Sequence, residues 1–116
     1  MTFSRFDVVV VPFPFTDRST TVRRPALILS DPETFGIATG QSLMAMITRA
    51  AGMRWPHDHA VGDRASAGLP EACFVRMKLF TLDHRLMLRK LGALGKSDAI
   101  AVRATLDALL GHMETS

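Results

Sequence analysis

Cysteine occurs once in the 116-residue chain, at Cys73, so no disulfide can close within it. The apolar neighbours Ala72, Phe74 and Val75 predict a buried thiol, and a reducing cytoplasm is the expected compartment. Long apolar runs are also missing. The longest, Val8–Phe15, is broken by Pro12 and Pro14 and falls well short of the roughly 20 residues that a bilayer requires. Polar Thr16-Asp17-Arg18-Ser19 follows it without a small-residue cleavage site, so neither a membrane span nor a targeting segment is expected. A glycine-rich phosphate loop, HExxH, paired CxxC and GxSxG are all lacking, which removes the usual nucleotide, zinc and serine-hydrolase classes. No metal and no cofactor is expected. His57-Asp58-His59 has metal-binding atom types, but it falls in a stretch that reads as an exposed loop, where solvated side chains are the expected state.

What is present fits a single compact domain over residues 1–116, with 47% hydrophobic and 22% charged residues. The balance of 14 Lys+Arg against 11 Asp+Glu gives +3, which permits an anionic partner without requiring one. Val8–Val11 is a β-branched run that needs burial on both faces and predicts the first strand. Ala26–Leu29 predicts a second strand opened by Pro25 and stopped by Ser30-Asp31-Pro32, and Leu43–Ile47 a third. Residues 52–68 read as a long irregular connection. Further strands are expected at Cys73–Val75 and Leu86–Leu91, with an irregular or helical turn around Lys78–Leu82 between them. The period then changes: Ser97 as N-cap, Asp98 in the first turn and a stripe of Val102, Leu106, Leu109 and Leu110 predict an amphipathic helix. The fold class is therefore mainly β, a small SH3-like antiparallel barrel with a C-terminal α-helix.

The segments Asp7–Asp17 (DVVVVPFPFTD) and Arg23–Ser30 (RRPALILS) resemble the opening of the MazF/PemK toxins. The similarity continues through Met46-Ile47-Thr48, Trp55-Pro56, Ala67–Pro70 and Val75–Asp83, covering nearly the whole chain. This resemblance implies a homodimeric endoribonuclease that cuts single-stranded RNA at short sequences and is inhibited by a cognate antitoxin. It assigns the catalytic arginine to Arg24 and the catalytic threonine to Thr48. Some members add an arginine and an acid near the fifth strand; Arg76 is the nearest candidate for the first, whereas Met77 and Lys78 stand where the acid would be.

The residues read alone are compatible with these assignments. Pro25 keeps Arg24 extended, so its guanidinium can project and grip phosphate oxygens with a two-pronged fork; spacing alone favours a solvated charge flanking the strand, and the motif context reverses that order. Thr48 is either a strand-edge β-former or a hydroxyl donor to phosphate, depending on whether it shares a groove with Arg24. Arg18, Arg23, Arg49 and Arg54, with Arg5, Arg76 and Lys78, are candidates for an RNA-binding surface, and Trp55 and Phe80 for base stacking. Phe13 and Phe15 are expected in the core or as loop anchors. Metal-independent cleavage would use the ribose 2′-hydroxyl as internal nucleophile, with Arg24 stabilising the phosphorane charge and His57 or His59 as remote options for a base. The alternatives are a nucleic-acid-binding barrel that does not cut, or a peptide-binding module using Leu79-Phe80.

Overall fold

The computed structural model describes residues 3–13 and 22–111. The elements are β1 (Asp7–Phe13), β2 (Val22–Ile28), a helical turn Pro32–Gly36 running into α1 (Ile37–Thr39), β3 (Gln41–Arg49), β4 (His59–Ala60), α2 (Arg64–Ala67), β5 (Cys73–Asp83), a 3-10 turn His84–Leu86, β6 (Arg89–Ala93) and α3 (Lys96–Leu109). All strand pairs are antiparallel, and the six strands form one curled half-barrel sheet in the order β4-β5-β3-β2-β1-β6. No helix among the described residues is long and apolar enough to cross a membrane.

The four-valine run of β1 is buried throughout, as its composition demands, and its alternating side chains feed two cores. Val8 joins Leu27, Ala45, Ile47 and Val75 on one sheet face, which α3 covers through Val102 and Leu106. Val9 and Val11 join Ala26, Ile28 and Met44 on the other face, closed at one end by Phe3 and Leu82. Cys73 is a buried free thiol whose ionisation burial pushes up, as its apolar neighbours foretold.

Several boundaries move from their expected places. β2 begins at Val22, so Pro25 lies inside the strand instead of opening it. β5 is a single strand of 11 residues running straight through Lys78–Leu82, and the helical turn comes only after it, where the Asp83 carboxylate accepts from the Arg85 N–H. The strand survives because it carries a bulge: Ala45 pairs Leu79 while Met46 pairs Arg76, leaving Met77 and Lys78 as extra residues. β6 starts at Arg89, not Leu86. The connection over 52–68 is only partly irregular, since it contains β4 and α2.

α3 starts two residues early, with Gly95 as N-cap and Ser97 already within the helix. Gly95 serves there because a Cβ would lie 3.1 Å from Asp63 Oδ2. At the other end of the helix, Leu109 and Leu110 are 46% and 61% exposed, so the predicted stripe is buried only at Val102 and partly at Leu106. Asp98, expected merely to complement the helix dipole, is instead a tether. Its carboxylate accepts from Gly62 N and Asp63 N, both at 2.9 Å, and from His59 Nε2 at 2.8 Å, fastening α3 to the segment between β4 and α2.

Candidate functional site

Proline has no N–H to give to a ladder, and the consequence of Pro25 is a split in the sheet. β2 pairs with β1 along its whole length, but its pairing with β3 runs only from Ile28↔Met44 to Ala26↔Met46. Beyond that point the ends of β2 and β3 separate, and an open cleft of about 1210 Å³ lies between them. Arg23, Arg24 and Pro25 line it from β2, and Ile47, Thr48 and Arg49 from β3. Arg64, Arg89 and Lys90 also line the cleft, whereas Glu71 is the sole acid there among the described residues. The floor is apolar, with Val10, Leu69, Cys73 and Leu91. Arg24 and Thr48, distant in sequence, thus stand on opposite banks of one cationic cleft.

Register fixes where their side chains go. Residues paired across antiparallel strands share a face, and alternate residues along each strand do likewise. Val11↔Arg24, Ala26↔Met46, Met46↔Arg76 and Thr48↔Phe74 therefore place Phe13, Arg24, Thr48, Phe74 and Arg76 on one face. The side chains bear this out: the Arg24 guanidinium carbon sits 5.5 Å from the centre of the Phe13 ring, and Lys78 Nζ lies 5.9 Å from the same ring. Phe13 is a half-buried platform for two cations on this face. The floor of the cleft belongs to the opposite face, so Arg24 and Thr48 occupy its rim and extend the site around the split edge.

The candidate residues divide by what already holds them. Among the described residues, Arg23, Arg24, Thr48 and Lys78 make no side-chain hydrogen bond or ion pair; all but the half-buried Thr48 are exposed. Arg49, 78% exposed, pairs with Glu71 at 2.9 Å, a contact worth little in water and easily exchanged for phosphate. Arg54 donates to the Asp58 carbonyl at 3.1 Å, with its guanidinium 4.9 Å from the centre of the Phe74 ring. Arg76 is committed: Nε and NH2 donate to the two oxygens of Asp58 at 3.2 and 2.9 Å, and NH2 also donates to the Met53 carbonyl. Arg18, with Thr16, Asp17 and Phe15, lies outside the described residues. Phe80 packs partly into the second core, which argues against its use as a base platform.

His57-Asp58-His59 is neither a solvated stretch nor a ligand set. Asp58 has a fully buried side chain, and its carboxyl lies below the ordinary range because Arg76 donates to it and the Trp55 N–H adds a second bond, together outweighing burial. His59 is drawn away to Asp98, and His57 is exposed in a turn at φ +67°. Among the described residues no group of three or more His, Cys, Asp and Glu gathers as a metal set. Arg64, Arg89 and Lys90 are cleft residues that the sequence reading did not single out, and Asp58 is a residue that it took for a solvated group. For Asp58 a signal existed, since an aspartate closing a Trp-Pro turn is well placed to accept that turn's own N–H groups.

Comparison with known proteins fits this geometry. Solved structures with the same fold include a chain of a MazE–MazF complex from Deinococcus radiodurans, 21% identical, covering 96% of this chain and 98% of that one, with a TM-score of 0.74. An endoribonuclease in complex with its cognate antitoxin from a mycobacterial species is 18% identical over 98% of both chains, with a TM-score of 0.73. A further mycobacterial endoribonuclease is 17% identical over 99% of this chain and 97% of its own, also with a TM-score of 0.73. No curated protein matches the chain significantly. The family model for the PemK-like, MazF-like toxins matches residues 4–110. With nearly its whole length covered by that model, the chain belongs to the PemK-like, MazF-like toxins of type II toxin–antitoxin systems.

Proposed function

We propose that this protein is a sequence-specific, metal-independent endoribonuclease that cuts single-stranded RNA in the cytoplasm and is held in check by a cognate antitoxin. The observation that carries the reading is the placement of Arg24 and Thr48 on facing banks of one cation-lined cleft, both without polar partners among the described residues. In the proposed reaction the 2′-oxygen attacks the adjacent phosphorus, the bond to the 5′-oxygen breaks, and a 2′,3′-cyclic phosphate and a 5′-hydroxyl result. One proton leaves the 2′-hydroxyl and one reaches the departing oxygen. Arg24, whose guanidinium offers donors and no acceptor, serves the developing phosphorane charge and not the proton, while Thr48 donates to a phosphate oxygen. Arg23, Arg49 and Arg54 hold the RNA backbone, and Lys78 adds a cation beside Arg24 on Phe13.

The solved relatives crystallised with antitoxins support an inhibitor that lays an acidic segment along these cations, and homodimerisation follows the family. Sedimentation at micromolar concentration should show a dimer; a monomer alone would contradict that part. Incubating the pure protein with labelled RNA in excess chelator tests the whole. Cutting supports the proposal, retention without cutting supports a non-catalytic RNA-binding barrel, and neither result would overturn both.

A further inference from the structure

The only tryptophan of the chain stands in an assembled frame against Arg76, which follows by one alternation along β5 from Phe74, the residue paired with Thr48. Trp55 N donates to Asp58 Oδ2 at 2.9 Å, and Asp58 N donates back to the Trp55 carbonyl at 3.2 Å, so the turn is closed on itself. The same carboxylate grips Arg76, whose guanidinium carbon lies 4.8 Å from the centre of the Trp55 ring. Arg54 adds a third hold, donating to the Asp58 carbonyl while lying over Phe74, the residue paired with Thr48. The ring is thus fixed by its own backbone and by the cation stacked on it, yet Trp55 keeps 41% of its surface exposed. A rigid, cation-backed indole open to solvent does nothing for the core. It suits the flat face of an unstacked base, which every nucleotide offers and which a splayed single strand exposes.

We infer that Asp58 is a positioning residue which, by gripping Arg76 and the Trp55 backbone at once, pre-builds Trp55 as a stacking platform for one base of the RNA next to Thr48. The inference rests on the RNA-cutting reading above and deepens it. Arg76 accordingly acts from behind the indole and not on the phosphate. Holding the ring in advance removes an ordering cost that a mobile loop would meet on binding, so the effect belongs to affinity.

Trp55 is its own reporter, because its fluorescence originates from a single site and is quenched when a base stacks on it. A pool of random single-stranded octanucleotides with 2′-fluoro riboses, which lack the internal nucleophile, is titrated into the intact protein while retention on a filter is measured in parallel. Retention with quenching is expected. Retention with unchanged Trp55 emission overturns the platform and leaves the RNA reading standing, whereas no retention overturns the RNA reading and this inference with it. In Asp58→Asn the quench at saturation should fall by at least half. The apparent Kd should rise on the order of five- to a hundredfold, the range found for losing one base–aromatic stack. With cleavable RNA, the loss should fall on KM and not on kcat, a split that general damage to the fold does not produce. Asp58→Asn that quenches and binds like the parent overturns the positioning role. Should Asp58→Asn fold poorly, Trp55→Leu against Trp55→Phe decides the platform: weaker binding restored in part by phenylalanine supports it, and equal binding by both overturns it.

Discussion

Replacing Asp98 with alanine removes one buried carboxylate and three hydrogen bonds at once, from Gly62 N, Asp63 N and His59 Nε2. Hydrogen bonds to a charged group contribute about 1.5–3 kcal/mol each when counted alone. They are not additive here, because Gly62 and Asp63 are exposed and water can reach their N–H groups once the carboxylate has gone. A loss of about 3 kcal/mol is the reasonable sum, which for a domain of this size lowers Tm by roughly 10–15 °C. Burial alone would push the Asp98 carboxyl up, but the Asp63 and Gly62 N–H groups and His59 together hold it below the ordinary 3.8. The folded state therefore favours the charged form. Its contribution is complete above the unfolded value near pH 4 and fades as pH falls through the depressed folded value. Urea titrations of the parent and of Asp98→Ala should differ by the full amount at neutral pH, and the gap should begin to narrow as pH falls below about 4. A difference under about 1 kcal/mol at neutral pH, or one independent of acid, would refute the tether.

Three further outcomes are expected. Arg24→Ala should lose RNA cutting by about a hundredfold or more, the usual cost of removing one charged donor from a transition state, while Tm stays within a few degrees because the side chain is exposed and, among the described residues, is held by no hydrogen bond or ion pair beyond its stacking on Phe13; Thr48→Val should lose less, and single-turnover rates with circular dichroism melts check both. A substrate carrying one 2′-deoxy ribose at the scissile position should bind and resist cutting, and chelator should leave cleavage of the native RNA unchanged, as product analysis by mass spectrometry will show. Gly92→Ala should destabilise the fold by several degrees of Tm, because its Cβ would meet the Ser66 carbonyl oxygen at 2.3 Å and the Ala67 backbone at 2.8 Å, where β6 passes α2.

The parts of this fold visible in the sequence were those written in short-range code. Four consecutive valines announce a strand buried on both faces, and the change to helical spacing after Gly95 announces α3. What stayed hidden depends on partners far along the chain. Pro25 marked a strand end when read locally, because the support that β1 gives to β2 on its other side cannot be seen from neighbouring residues. The bulge at Met77-Lys78 looked like a break for the same reason. For the candidate site, Arg24 and Thr48 came through family motifs, and their shared cleft became visible only with the register of β2 and β3. Asp58 was misread because an aspartate between two histidines looks hydrophilic until Arg76, 18 residues later, folds onto it.

The two extra residues in β5 have a further meaning. Side chains on a strand alternate with a period of two, so taking a pair out of the ladder shifts everything beyond it by about 7 Å while leaving each side chain on its original side. Were Met77 and Lys78 paired in line with β3 instead of bulged out, continuation of the Ala45↔Leu79 register would place Arg76 opposite Thr48 and move Phe74 past it. With the pair bulged out of the ladder, Arg76 stands one alternation back, where it reaches Asp58, and Phe74 meets Thr48. The bulge works as a vernier between the apolar end of the sheet and its charged end. A bulge of two slides the charged end of β5 along β3 without turning either core face outward, whereas a bulge of one would turn one half of β5 inside out.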